Sequence, residues 1–128
     1  MTQQAPESLK YRRSDRILEI KFPNQLTVDL SAELLRVLSP SAEVQGHGPG
    51  QEVLQTGKAD VEITAIEPVG HYAVQISFDD GHSSGLYTWA YLAHLASEKQ
   101  TLWQRYLRKL EDAGASRDPS TDIVRIMN

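Results

Sequence analysis

The stretch "DVEITAIEPVGHYAVQISFDDGHSSGLYTWAYL", Asp60 to Leu92, decides the fold. Val61, Ile63 and Ala65 share one face, and Tyr72, Val74, Ile76 and Phe78 share another, which is the period-2 pattern of half-buried strands. "EPVGH" between them supplies turn residues, so the two strands pair antiparallel. "DDGH" is a second turn signal, and "GLYTW" is short, aromatic and suited to the third strand of a meander. From Ala90 the period becomes helical, because Leu92, Leu95, Leu102, Tyr106 and Leu110 recur three, four or seven residues apart. Ser97 followed by Gln100 either forms a capping box that divides this stretch into two helices or marks the bend of one. Gly114 is the expected stop.

Upstream, "RILEIKF" alternates through Leu18, Ile20 and Phe22, and "LTVDL" through Leu26, Val28 and Leu30, a hairpin around "PNQ". Ser31 is placed to cap a short helix over "AELLRVL", and Pro40 ends it by driving Ser39 from helical angles. Residues 39–59, rich in Gly, Pro, Gln and Ser, form a connection long enough to be functional or loosely ordered. The expected organisation is a flexible tail over residues 1–15, one domain over 16–114 and a second tail over 115–128. The second tail contains "IVRI", either a terminal strand or a docking peptide. The fold class is α+β: a small antiparallel sheet, hairpin plus three-stranded meander, packed against a short helix and C-terminal helices.

A chain of 128 residues, 40% apolar and 23% charged, builds one core without staples. Its net charge of -4 removes the electrostatic reason for binding nucleic acid or an anionic membrane. The absence of cysteine excludes thiol catalysis, disulfides and thiolate metal sites, and fits a reducing, cytoplasmic setting. Apolar runs are far too short for a membrane-spanning helix.

No motif carries catalysis. "GHSSG", Gly81 to Gly85, matches the G-x-S-x-G nucleophile elbow, but that elbow lies between a strand and a helix of a large sheet, whereas strand residues follow Gly85 here. "GHGPG" and the glycine of "GKA" lack the spacing of phosphate loops. None of His47, His71, His82 and His94 shows helical i, i+4 metal spacing or an H-x-D/E pair. His82 follows Asp79 and Asp80, whose carboxylates are expected to favour its protonated form. Tyr87, Trp89, Tyr91, Trp103 and Tyr106 fall on inward periods, as core residues do, although Tyr87 and Trp89 are also candidates for a partner surface. Glu98, Lys99, Arg105, Arg108, Lys109 and Glu111 read as a solvated helix face.

"LRVLSPSAEVQGHGPGQ" together with the Asp60 to Leu92 stretch resembles the small bacterial proteins named for the gamma-butyrobetaine hydroxylase-like N-terminal domain, over about Ile17 to Leu95. Related domains precede the iron- and 2-oxoglutarate-dependent catalytic domain of gamma-butyrobetaine and trimethyllysine hydroxylases, and others are attached to Mrp-like iron-sulfur carrier ATPases. In the hydroxylases the domain holds a structural zinc through three cysteines and one histidine. The resemblance places the cysteines at Ser39, Ser41 and Val44 and the histidine at His82. Hydroxyls and a valine do not replace thiolates, so no cofactor is expected. The iron triad of the hydroxylases lies in a downstream domain that this chain lacks, so the resemblance carries no hydroxylase activity. The expectation is a non-catalytic accessory or protein-interaction domain, with Tyr87, Trp89 and His82 as contact candidates. The alternative is a metal-binding protein, linked to iron-sulfur handling, with a site rebuilt from His82, His47 and Glu43.

Overall fold

Alternating apolar residues build two antiparallel three-stranded sheets in the computed structural model, which describes residues 4–24 and 26–119. The first sheet joins β1 (Ser8–Arg12), β2 (Ile17–Lys21) and β3 (Thr27–Ser31) in chain order. The second joins β4 (Ile63–Val69), β5 (Ala73–Phe78) and β6 (Leu86–Thr88), also in chain order. Between them run the helix α1 (Ala32–Val37) and the single turn α2 (Ala42–Gln45), and α3 (Trp89–Asp112) follows β6.

The meander and the hairpin lie where alternation places them, with Leu18 opposite Leu30 and Val74 opposite Tyr87. β1 is a correction: residues assigned to a mobile tail form a strand, in register from Ser8 opposite Lys21 to Arg12 opposite Ile17. The reason is that Leu9 and Tyr11 alternate toward the core while Arg12 donates to Glu19 at 2.7 Å and to Asp29 at 3.0 Å. Tyr11 also links the two sheets, because its hydroxyl oxygen accepts the Ile63 N–H at 3.2 Å beside the irregularity in β4.

Ser31 Oγ accepts from Leu34 N at 3.0 Å and starts α1, and Thr88 Oγ1 does the same for α3 through Tyr91 N. α3 is one element kinked at Glu98 (φ -114, ψ 16), with the Ser97 hydroxyl donating back to the His94 carbonyl. Gly114, at φ +63, ends it as expected, and the Ala115 N–H returns to the Leu110 carbonyl. The described residues beyond Gly114 are not a free tail. Ser116 and Arg117 carbonyls accept from Gly57 and Ala59, and Arg117 makes a two-pronged pair with the buried Glu33 at 2.7 and 2.8 Å. "IVRI" lies outside the described residues.

The core gathers Leu18, Ile20 and Leu30 from the first sheet, Ile63, Ile76 and Tyr87 from the second, Leu35 from α1, and Leu92 and Leu95 from α3. No described helix is long and apolar enough to cross a membrane.

Candidate functional site

The most concentrated group of chemically versatile side chains is Ser39, Ser41, Glu43 and His82, where the long connection meets the turn after β5. That turn is set by Gly81 at φ +91 and by Asp80, whose side chain accepts the His82 N–H at 3.1 Å. The Phe78 N–H bonds the His82 carbonyl at 2.9 Å, and the imidazole is directed inward beside the Phe78 ring. From the other side, Pro40 breaks the chain after α1 and presents two serines one residue apart. His82 Nε2 lies 2.8 Å from Ser39 Oγ and 3.3 Å from Ser41 Oγ, and the two hydroxyls are 3.3 Å apart. Ser41 sits at the N-cap of α2 but makes no side-chain capping bond, because its hydroxyl faces His82 instead.

His82 Nδ1 lies 3.4 Å from Glu43 Oε2, and the other carboxylate oxygen accepts from Ser84 Oγ at 2.8 Å. A carboxylate only accepts, so this contact places the imidazole proton on Nδ1 and leaves Nε2 to accept from a serine hydroxyl. Burial lowers the His82 pKa below its ordinary value, and Arg36 lowers it further, while Glu43 and Asp80 oppose. The expectation that flanking carboxylates favour imidazolium is therefore overturned, because desolvation of the ring outweighs them. Asp80 is occupied elsewhere: burial opposes its ionisation, but bonds from Lys58 at 2.6 Å, the His82 amide and Arg36 at 2.8 Å hold it at about 2.

The order Glu43, His82, Ser39 is that of an acid-base-nucleophile relay, but the serine is closely packed. Ser39 is wholly buried, and a methyl built on Gly85 would stand only 2.5 Å from Ser39 Oγ. A nucleophile needs room for an electrophile at that oxygen. Ser83, the serine of "GHSSG", is exposed on a strand-to-strand connection, and the neighbouring imidazole points to Ser39 rather than to it.

Nor does the group suit zinc. The resemblance pointed to Ser39, Ser41, Val44 and His82, and the fold does bring Ser39 and Ser41 to His82. Yet the two hydroxyls are engaged with each other and with the imidazole, and Val44 offers only buried alkyl surface. Of the three residues of the rebuilt alternative, Glu43 reaches His82, whereas His47 is exposed beyond α2 and is not grouped with them. Among the described residues no group of three His, Cys, Asp or Glu side chains is placed to hold a metal ion.

Two of the contact candidates are not surface residues. His82 is buried, and Tyr87 is wholly enclosed, its hydroxyl donating to the Leu35 carbonyl and its pKa raised by burial. Trp89 is half-buried and donates Nε1 to the His71 carbonyl at 2.7 Å. Two exposed residues escaped sequence reading, Tyr72 and, at the start of β6, Leu86, at 56% and 41% exposure. Alternation had assigned Tyr72 inward with Val74. It lies instead in the turn before β5, where strand alternation does not yet hold.

Two small antiparallel meanders with one short and one long helix, and a loop pinned to a buried histidine, define a compact α+β domain class. The profile of the gamma-butyrobetaine hydroxylase-like N-terminal family matches residues 9–93, and the chain belongs to that family. Two NMR solution structures superpose with TM-scores of 0.80 and 0.77 at 49% and 54% identity, covering 91% and 93% of this chain and 92% of each of theirs. The crystal structure of a protein of unknown function of the DUF971 family, from Acidithiobacillus ferrooxidans, superposes with a TM-score of 0.62 at 36% identity, covering 73% of this chain and 93% of its own. No curated protein matches the chain.

Proposed function

We propose that the protein is a non-catalytic accessory domain that recognises a protein partner. The observation that carries this reading is the contrast between its two groups of interest. Ser39, Ser41 and His82 are buried and bonded to one another, the exposed Glu43 is engaged by His82 and Ser84, and among the described residues no buried side-chain nitrogen or oxygen lacks a partner. The aromatic and aliphatic groups Tyr72, Leu86 and Trp89, by contrast, remain at the surface around the β5–β6 pair. Aromatic anchors on a rigid element are the usual centre of a protein interface. Trp89 is held by two bonds to the preceding turn, through its N–H to the Tyr72 carbonyl and its indole to His71, so little side-chain entropy is lost on contact.

Affinity capture from the native cell, comparing wild type with a Tyr72→Ser/Leu86→Ser variant of unchanged circular dichroism, tests the reading. The expected result is one dominant protein lost with the variant and shown by calorimetry to bind the purified wild type directly. Equal recovery on both baits, or failure of direct binding, overturns it.

A further inference from the structure

A second feature lies away from that surface, between the connection after α2 and the inner face of α3. A cleft of about 650 Å³ opens there, half enclosed, a size typical of small-molecule sites. Its floor is apolar: Val37, Val44 and Tyr106 are buried, and Leu54 and Leu102 are half-buried beside them. The polar ends of its aromatics are already used, since Tyr106 donates to the Gln55 carbonyl and Tyr91 to the Leu38 carbonyl. Both therefore present ring carbon to the cleft.

The rim is charged and unevenly committed. Glu52 accepts from the Gly50 amide at 3.3 Å and lies in the field of Lys109, and Asp112 stands at the far end of the helix. Arg105, one turn before Lys109 on the same wall, has a guanidinium with no ion pair or hydrogen bond among the described residues. An apolar floor beside a free planar cation complements a ligand with an aliphatic body and one carboxylate.

We propose that this cleft binds a medium-chain carboxylate, with its chain over Val37, Leu54 and Tyr106 and its head group paired with Arg105. The body supplies area removed from water, and the two-pronged guanidinium supplies orientation and discrimination against neutral or cationic head groups.

The test is a 1H–15N titration of the whole chain with sodium decanoate, decanol and decyltrimethylammonium, each below its aggregation concentration, and with acetate as the headgroup-only arm. Saturable shifts at the amides of residues 44–55 and 102–109 are expected for decanoate, with decanol binding the same amides roughly tenfold more weakly and acetate giving no saturable shift. Arg105→Gln, an exposed change that leaves the core intact, is expected to weaken decanoate roughly tenfold and leave the decanol response unchanged. Decanoate and decanol binding equally, an Arg105→Gln variant that binds decanoate like wild type, shifts outside the cleft, or no saturable shift each overturn the proposal.

Discussion

Replacing Gly85 by alanine tests how tightly the Ser39–Ser41–His82 group is packed against the start of β6. The added methyl meets Ser39 Oγ at 2.5 Å, and Pro40 Cδ and Tyr87 Cε1 at 3.2 Å each. None of these is the far end of a flexible chain: Ser39 and Tyr87 are wholly buried, and Pro40 is a ring. Gly85 does not use a positive φ, so the cost is steric rather than conformational. Overpacking of this kind costs about 1–3 kcal/mol. Displacing Ser39 also breaks its 2.8 Å contact with His82, worth roughly 1 kcal/mol, while loss of glycine flexibility in the unfolded chain returns about half a kcal/mol. The net expectation is a loss of about 2–3 kcal/mol, or roughly 10 °C in Tm for a domain of this size.

Urea unfolding followed by tryptophan fluorescence and circular dichroism measures it, with m as a check that the unfolded state is unchanged. Ser39→Ala removes the atom the methyl strikes and is expected to cost about 1–2 kcal/mol alone. The double variant should then be at least about 1 kcal/mol more stable than the sum of the two effects implies. A Gly85→Ala loss below about 0.5 kcal/mol, or strict additivity with Ser39→Ala, refutes the reasoning.

Further outcomes follow from the same region and its neighbours. Because His82 titrates below its ordinary 6.5 in the folded state, its contribution is complete above that pH and lost as pH falls toward the folded value, and His82→Gln should flatten that limb of the stability curve. The Asp80 contribution persists to lower pH and is lost only between its ordinary 3.8 and about 2. Arg117→Ala leaves Glu33 buried without its partner and should cost about 1–2 kcal/mol, discounted for the exposure of Arg117, with faster amide exchange at Gly57 and Ala59. Ser39→Cys/Ser41→Cys/Val44→Cys, which restores the donor set that the resemblance implies, should take up one zinc or one cobalt with thiolate charge-transfer absorption, and failure to do so in a folded variant refutes the placement of Val44.

The elements with unbroken alternation were legible from the sequence, because one buried face leaves a strand a single register. β1 was passed over since "SLKYR" is mostly polar, and its period of two apolar residues becomes decisive only when Arg12 finds Glu19 and Asp29. The anchoring of residues 115–119 was hidden for a similar reason: Arg117 and Glu33 are 84 positions apart, and no local pattern couples them. Within the site, spacing alone could not join Ser39 and Ser41 to His82, whereas resemblance could. Resemblance in turn gave no guide to Tyr87, which local alternation correctly placed in the core.

Hydroxyls in place of the thiolates that the resemblance implies would hold the loop around α2 less firmly. A structural zinc contributes on the order of 10 kcal/mol to the segment it holds, whereas contacts such as those from His82 to Ser39 and Ser41 contribute roughly 1 kcal/mol each. The loop around α2 is therefore held mainly by other means: burial of Val44, the Gln45 bond to the Ser39 carbonyl at 2.9 Å, and the Val53 N–H bond to the Val44 carbonyl at 2.8 Å. α1 is secured independently, because Tyr87 and Tyr91 occupy the Leu35 and Leu38 carbonyls that its C-terminus leaves open. The loop should thus open without α1, so that amides of Val44, Gln45 and Val53 exchange by local opening several kcal/mol below the global unfolding free energy while Leu38 and the β5 amides exchange near it. Native-state hydrogen exchange at rising urea distinguishes the two limits. Val44 and Gln45 following the same urea slope as β5 would show that the histidine and serines bind the loop as firmly as the core itself.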